Sequence, residues 1–308
     1  MKQYIADLKR RLRPSDNPYL AALRDGSFDR DDFLETQIQF LFAVVFFSRP
    51  MAALAGRLPR PELRLALLEN VEDEHGSGDL RLCHESTFLQ FLSRLGATPA
   101  DIERRALWPE VRAFNTTLAG LCMLDDVPTA LAGLGIIEDL FSSISTEIGR
   151  AVLRRGFLDE SQLVHYKTHE VLDVEHAEGF YRGLYAPYAA HARARYQIQQ
   201  GLELCAYAFL RLYEDLYRQR QRRQLREVPG PHSLADGWYM EPAVLGGPGA
   251  RGAAPRPQAL PRAPQRAPRA RTRARARARV APAPPPAPFA LLPSLCAYPV
   301  VTCRSRRG

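Results

Sequence analysis

The sequence has few of the features that mark secreted, membrane-spanning or strand-rich proteins. Its five cysteines occur without CxxC pairs, so neither a disulfide framework nor a zinc ribbon is indicated. The longest apolar run, residues 40–47, is too short to span a bilayer, and the N-terminus lacks the continuous apolar stretch of a signal peptide. We therefore expect a cytoplasmic protein that is neither secreted nor inserted into a membrane.

Charge is distributed unevenly along the chain. The formal net charge is +8, yet no aspartate, glutamate or lysine follows Glu241, whereas 13 arginines do, so the residues up to Glu241 carry a net charge of −5. Proline, arginine, alanine and glycine dominate the end of the chain, a composition that cannot bury enough apolar surface to fold. We predict a helical bundle over residues 1–227 and a disordered, low-complexity tail over residues 228–308.

Segments with helical spacing follow one another, and no stretch reads convincingly as a strand. A long helix is predicted over residues 29–57, and its middle is apolar on nearly every side, as in the interior of a bundle. Further helices are predicted over about residues 101–121, passing through Pro109, and over about residues 188–226. The pattern predicts an all-α fold.

Three side chains that can bind a metal share one face of a predicted helix. His169, Asp173 and His176 are four and then three residues apart, so at roughly 100° per residue they fall within about 60° of one another. Two imidazoles and a carboxylate suit iron, manganese or zinc, and such a set with open positions is typical of non-heme iron and oxygen chemistry. The alternative is a surface helix whose acids and histidines are solvated.

A second group of acids and histidines surrounds two glycines. Glu72 and His75 have the Glu-x-x-His spacing that di-iron bundles use, while Glu74 and His84 form another candidate pair across the glycines. The glycines weaken a helix by about 1 kcal/mol each relative to alanine, so we expect an adjustable segment. Spacing alone does not choose between the pairs, and a solvated helix end is the alternative to both.

Glu138 lies in an apolar stretch of another predicted helix, after two isoleucines and shortly before Phe141. An ionised carboxylate in such surroundings costs several kcal/mol unless a positive group pairs with it. A metal ion would serve, and we favour it over a buried salt bridge. The arginines on the same helix that could form such a bridge are Arg150, Arg154 and Arg155.

In chain order, these three groups resemble residues of the heme-oxygenase-like diiron oxidases, a family also described as iron-containing redox enzymes. The groups are Glu74 with His84, then Glu138, and then His169, Asp173 and His176. The resemblance covers roughly residues 15–220 and implies a seven-helix, heme-oxygenase-like bundle. It also implies two ferrous ions as cofactors and dioxygen as cosubstrate. The ligands that it implies are Glu74, His84, Glu138, His169, Asp173 and His176, with Glu72 and His75 as the alternative pair.

The resemblance implies a class of reaction as well. Chemistries of the family include N-oxygenation of amines and amino acids, oxidative C–C or C–N cleavage, and a para-aminobenzoate synthesis that consumes a tyrosine of the protein. We expect a non-heme iron oxidoreductase that acts on a small amine, amino acid or aliphatic acid. Helix facing suggests Phe46, Phe47, Tyr166 and Tyr181 as substrate-pocket residues.

Two other classes of function compete with this one. A metal-independent member of the same bundle fold, a thiaminase-like hydrolase or a cofactorless oxidase, would need a reactive cysteine such as Cys122 or Cys205, or a polar pocket. A non-enzymatic protein would bind nucleic acid through the arginine-rich tail, although its arginine run has no aromatics for base stacking. The partners we expect are a small-molecule substrate, an external reductant and a second copy of the chain.

Overall fold

The computed structural model describes residues 1–227, and this part of the chain is largely helical and has no strands. The all-α prediction is therefore confirmed, while the predicted tail, residues 228–308, lies outside the described residues. Three of the eleven helices have eight residues or fewer. The helices are α1 (Lys2–Leu12), α2 (Pro18–Asp25), α3 (Arg30–Arg57), α4 (Pro61–Glu74), α5 (His84–Leu95), α6 (Pro99–Arg104), α7 (Pro109–Leu124), α8 (Val127–Arg154), α9 (Val164–Arg182), α10 (Tyr185–Ala190) and α11 (Ala192–Arg218).

Helix α3 runs through the interior of the bundle, as its apolar middle predicts. The Asp29 side chain caps its N-terminus by accepting a hydrogen bond from the backbone N–H of Asp31 at 2.8 Å. Phe40 and Phe42 in its middle are buried, and the helix packs against α4, α5 and α7. This confirms the helix predicted over residues 29–57.

Helix α8 is packed closely between α9 and α11. A Cβ atom added to Gly201 on α11 would lie 2.0 Å from the carbonyl oxygen of Thr129 on α8. A Cβ atom on Gly135 of α8 would lie 2.6 Å from the ring of Tyr181 on α9. Because glycine has no Cβ, both neighbouring helices approach α8 closely, which brings the side chains of α8 and α9 within reach of one another.

Helices α3 and α8 are also long and apolar enough, by length and composition, to cross a membrane. In their most apolar windows, 61% of α3 and 72% of α8 is buried inside the bundle. Buried core helices meet the same two criteria, so these two helices alone do not indicate membrane insertion.

The helix predicted over residues 101–121 is interrupted. Pro109 restricts the preceding Trp108 to an extended backbone, with φ −72° and ψ 140°, and itself begins α7. The prediction of one continuous helix is therefore wrong, and the segment forms α6 and α7 separated by a short extended stretch.

The helix predicted over residues 188–226 is wrong at both ends. The chain divides it into α10 and α11, and α11 ends at Arg218. Beyond that point the backbone pairs with the stretch between α6 and α7, where the N–H of Ala106 donates to the carbonyl of Gln224 at 3.0 Å. This pairing satisfies backbone groups that further helix would otherwise have satisfied.

Candidate metal centre

The buried acids and histidines of α8 and α9 meet at one place in the bundle. Glu138 on α8 and Asp173 and His176 on α9 have ligand atoms that all lie within 4.8 Å of one another. His176 Nδ1 is 3.9 Å from a Glu138 oxygen and 4.0 Å from an Asp173 oxygen. All three residues are buried, so the two helices bring two carboxylates and an imidazole together away from water.

His169 lies one turn before Asp173 on the same face of α9. Its Nδ1–H donates to Asp173 Oδ1 at 2.8 Å, while its buried Nε2 has no hydrogen-bond partner within the described residues. Burial and the neighbouring His84 hold the pKa of His169 well below its usual value, so the ring is neutral at pH 7. A neutral imidazole with a free nitrogen lone pair is the form that binds a metal.

Glu74 and His84 reach the same region from another part of the chain. Glu74 ends α4 and His84 begins α5, and Glu74 Oε2 lies 2.9 Å from His84 Nδ1. The His84 ring is also 4.3 Å from the His169 ring, centroid to centroid. Burial disfavours charge on both partners, but their attraction prevails, lowering the pKa of Glu74 and raising the pKa of His84. They form a buried ion pair beside the cluster on α8 and α9.

A tight turn brings Glu74 and His84 together. Its residues Gly76, Ser77 and Gly78 all have positive φ angles, of 74°, 51° and 93°. A Cβ atom on Gly76 would lie 2.6 Å from the backbone nitrogen at the start of α5, so glycine lets the turn fold back closely. The two glycines, which were predicted to weaken the helix, form a turn between α4 and α5, and the adjustability of this segment stays a prediction.

The alternative ligand pair lies on the outside of α4. Glu72 and His75 are both exposed, and His75 Nδ1–H donates to the carbonyl of Val71 at 2.7 Å. The structure therefore brings Glu74 and His84 to the cluster, and leaves Glu72 and His75 away from it.

Burial opposes the ionisation of both carboxyl groups of the cluster, and Asp173 further opposes that of Glu138. Burial first, and then the charge of Asp173, raise the pKa of Glu138 well above its usual value. Burial likewise raises the pKa of Asp173, although the nearby His176 acts in the opposite direction. Asn70 donates from Nδ2 to Glu138 Oε1 at 3.3 Å, and this hydrogen bond offsets only part of the rise in the pKa of Glu138. A cation bound between two buried carboxyl groups this close would stabilise the ionised form of both.

The arginines considered as partners for Glu138 lie elsewhere. Arg150 and Arg154 are exposed to solvent. Arg155 donates instead to the backbone carbonyl of Phe28. These positions exclude the arginines of the same helix as partners of the carboxylate, and the nearest basic side chain to it in the described part of the chain is His176.

Unpaired polar atoms in the cluster fit a bound cation. Asp173 Oδ2, His169 Nε2 and His176 Nδ1 are buried, and none has a hydrogen-bond partner in the described part of the chain. Leaving such a group unsatisfied costs about 1–3 kcal/mol. Nitrogen and oxygen lone pairs in this combination are ligands for iron, manganese or zinc, so the residues fit the metal that the sequence predicts.

Sequence analysis missed two residues that adjoin the cluster, Asp73 and His165. Asp73 Oδ2 accepts a hydrogen bond from His176 Nε2 at 3.1 Å across 103 residues of sequence, and local spacing gives no signal for such a contact. The ring of His165 lies 4.4 Å from that of His169, and its Nδ1 is 3.0 Å from the Thr87 hydroxyl. For His165 a signal exists, because it precedes His169 by one helical turn.

A narrow apolar cavity adjoins these residues. Its empty volume is about 440 Å³, including the part that is open to solvent. The polar residues that line it are four of the predicted ligands: Glu74, His84, Glu138 and His169. Its remaining lining is apolar and consists of Phe40, Ala43, Val44, Phe47, Phe114, Ile137, Phe141 and Phe209.

The predicted pocket residues divide between the cavity and the core. Phe47 lines the cavity, whereas Phe46 is half-buried against the core. Tyr166 is buried and its hydroxyl donates to Gln37, and Tyr181 is buried against α8. Of the four, the structure places only Phe47 in the described cavity lining.

A more polar groove shares Val44, Glu74 and His84 with the apolar cavity. It encloses about 680 Å³ of empty volume and extends to the exposed His75. The ion pair of Glu74 and His84 therefore lines both spaces.

The cysteines that a metal-independent hydrolase would need are packed in the core. Cys122 on α7 and Cys205 on α11 are buried, and neither lines the cavity. Burial raises the pKa of Cys122 to about 12 and raises the pKa of Cys205 as well. Both thiols are protonated at neutral pH, and a protonated thiol is a poor nucleophile.

Solved structures place this chain in the heme-oxygenase-like fold. A domain with that fold from Shewanella denitrificans matches with a TM-score of 0.59 and 15% identity, covering 71% of this chain and 91% of the other. A TenA homologue from P. horikoshii OT3 matches at 0.56 and 14%, covering 70% and 98%. A CADD-like protein from Nostoc punctiforme matches at 0.55 and 18%, also covering 70% and 98%. At these identities the likeness shows the fold alone.

Sequence comparison adds the family. A curated 4-aminobenzoate synthase from Chlamydia trachomatis is 27% identical over 132 residues, which cover 42% of this chain. The match spans 56% of that relative, little more than half its length. Over residues 34–210, more than half of the chain, the sequence matches the family described as iron-containing redox enzymes. That stretch contains the whole cluster of buried acids and histidines. Because the match covers more than half of the chain, the chain belongs to the family of iron-containing redox enzymes.

Proposed function

We propose that this protein is a non-heme diiron oxidase that activates dioxygen and oxidises a small amine, amino acid or aliphatic acid. The observation that carries the proposal is the meeting of three buried carboxylates with three buried imidazoles beside an apolar cavity. Carboxylates and histidines on facing helices are the ligands with which helical bundles bind two irons.

Six side chains would hold the metal. They include Glu138, Asp173 and His176, whose ligand atoms already lie within 4.8 Å of one another. When bound, two ferrous ions would supply the electrons that reduce dioxygen. Three ionised carboxylates offset three of their four positive charges, which reduces the cost of burying the metal. The other three ligands are Glu74, His84 and His169.

The cavity supports a substrate with an apolar body. An ionised group buried there costs several kcal/mol unless it finds a polar partner, and the polar partners in the lining are Glu74, His84, Glu138 and His169. We expect the amine or carboxylate of the substrate to face these side chains, with its apolar remainder against the phenylalanines. The same walls would exclude water from the reacting group.

The name of the curated relative refers to formation of an aromatic amine. This supports a nitrogen-containing substrate, and among the three substrate classes we favour a small amine or amino acid. N-oxygenation and oxidative cleavage of a C–C or C–N bond both suit a cavity of this polarity.

Iron titration tests the proposal. Apo-protein titrated anaerobically with ferrous iron should bind two irons per chain by elemental analysis, and oxygen should then produce a transient visible absorbance. His176→Ala should lose bound iron and oxygen consumption while its far-ultraviolet circular dichroism stays helical, because the removed imidazole belongs to the buried cluster. His75→Ala is the matched control, since this histidine is exposed on the outside of α4 and should bind iron like the wild type.

Two results would contradict the proposal. Full iron occupancy in His176→Ala would show that the cluster does not hold the metal. Failure of the iron-loaded wild type to consume oxygen with any of a panel of amines, amino acids and aliphatic acids would refute the activity.

A further inference from the structure

The two ring nitrogens of His176 face different carboxyl groups. Nδ1 faces Glu138 and Asp173, at 3.9 and 4.0 Å, and has no hydrogen-bond partner in the described part of the chain. Nε2 lies on the opposite side of the ring, 3.1 Å from Asp73 Oδ2. An ionised carboxylate only accepts hydrogen bonds, so the contact requires the proton to be on Nε2. In the neutral ring, the form that binds a metal, Nδ1 then carries the lone pair and faces the two carboxyl groups.

Asp73 is itself fixed by a second contact. Its Oδ1 accepts a hydrogen bond from the Ser77 hydroxyl at 2.7 Å, while Oδ2 is engaged by His176. Ser77 has a φ of 51°, a conformation that non-glycine residues adopt rarely, and it belongs to the turn that follows α4. Each carboxylate oxygen therefore accepts a hydrogen bond from the protein, although the side chain is still 38% exposed.

We propose that Asp73 is a positioning residue, which selects the Nε2–H tautomer of His176 and holds its Nδ1 toward the metal site. The inference rests on the proposed function, because positioning matters only if His176 binds a metal. A carboxylate that receives the second ring N–H of a metal-binding histidine fixes the orientation of the ring and raises its basicity, and its loss weakens metal binding by about 10- to 100-fold.

The contact also joins two parts of the site. Asp73 immediately precedes Glu74 at the end of α4, and His176 is on α9, so one hydrogen bond connects the helix of one proposed ligand to the side chain of another. We expect removal of the Asp73 carboxylate to disturb the metal-binding imidazole without removing any ligand.

The test compares Asp73→Ala and Asp73→Asn with Asp79→Asn. Asp79 is an acid of the same turn region that binds Arg81 and contacts none of the proposed ligands, so its variant controls for loss of a nearby charge. Cobalt(II) titration, followed by its visible absorbance, reports metal affinity. Nitrogen NMR of apo-protein labelled at histidine reports the tautomer of His176.

We expect a graded result. Asp73→Ala should lose the Nε2–H tautomer and bind cobalt about 10- to 100-fold more weakly. Asp73→Asn keeps an oxygen that can accept from Nε2–H, so it should retain the tautomer and lose less affinity. Asp79→Asn should match the wild type. A side chain that merely stabilises the end of α4 would change the unfolding midpoint but leave the tautomer as it is.

An unchanged tautomer in Asp73→Ala, or unchanged cobalt affinity despite an altered tautomer, would overturn the inference. If Asp73→Ala fails to fold, the Asp73→Asn variant decides by its cobalt affinity, and equality with the wild type overturns the inference. Failure of wild-type protein to bind cobalt or iron would instead refute the proposed function, and the tautomer measurement on apo-protein would still decide whether Asp73 orients the ring.

Discussion

Gly76→Ala tests whether the turn after α4 positions the metal ligands. The turn joins Glu74 to His84, and the Cβ of an alanine at position 76 would meet the backbone of Leu82 and Cys83, at 2.9 and 2.6 Å. Backbone atoms cannot move aside as the end of a flexible side chain can. We therefore expect the turn to shift and to separate the two ligands.

The matched control is Gly78→Ala. Gly78 also has a positive φ, 93° against 74° at Gly76, but nothing lies within 4 Å of its would-be Cβ. A left-handed backbone conformation at alanine destabilises the folded state by about 1–2 kcal/mol. The lower conformational entropy of the unfolded chain with alanine stabilises the folded state by about 0.4–1 kcal/mol. Gly78→Ala should therefore lower the free energy of unfolding by about 0–1.6 kcal/mol. Gly76→Ala should lower the free energy of unfolding by a further ~1–3 kcal/mol, the usual destabilisation caused by overpacking.

Urea denaturation of the apo-proteins measures the difference in the free energy of unfolding, and anaerobic iron titration measures the consequence for the site. We expect Gly76→Ala to bind iron more weakly than Gly78→Ala, because only the former moves Glu74 relative to His84. Equal stability and equal iron affinity in the two variants would refute the argument that close approach, rather than the backbone angle, requires glycine here.

Two further predictions concern buried ionisable groups. The raised pKa of Glu138 means that this carboxyl keeps its proton in the folded apo-protein at pH values where it is ionised in the unfolded chain, so its own contribution to stability falls as pH rises above the usual value of 4.5. Glu138→Gln removes this contribution, so in urea denaturation the stability of the wild type should fall relative to that of the variant as pH rises. The same variant should bind less iron, and a wild-type pH profile in it would contradict the assignment. Cys122 and Cys205 should resist iodoacetamide in the folded protein, as read by mass spectrometry, while the half-buried Cys83 reacts. Labelling of Cys122 at the rate of Cys83 would reopen the cysteine-dependent alternative.

Local geometry made part of the site predictable. His169, Asp173 and His176 share a face because the spacing of a helix fixes their azimuths whatever surrounds them, and all three are buried in the structure. Glu138 was predictable from its apolar neighbours, since a carboxylate among them requires a partner. Whether these residues bind iron stays a prediction.

Other parts of the site depend on contacts that spacing does not encode. Glu72 and Glu74 are two residues apart, so they point to nearly opposite sides of α4, and only the packing of that helix decides which faces the interior. The contact of Asp73 with His176 joins residues 103 positions apart. No periodicity within a single helix could predict it.

The interruption at Pro109 had a local cause. Its ring restricts the preceding residue, and Trp108 is extended in the structure. The end of α11 at Arg218 had none, because the residues that follow it pair with a segment more than 100 positions earlier in the chain, as in the hydrogen bond from Ala106 to Gln224. Helix boundaries set by distant backbone partners lie beyond prediction from local sequence.

Glu74 and His84 line both the apolar cavity and the polar groove that reaches the exposed His75. The ion pair is therefore common to the walls of both spaces. We expect that separation of these two side chains would join the groove to the cavity and admit more water to its phenylalanine-lined part. Loss of either side chain should therefore increase the access of water to a substrate in the cavity.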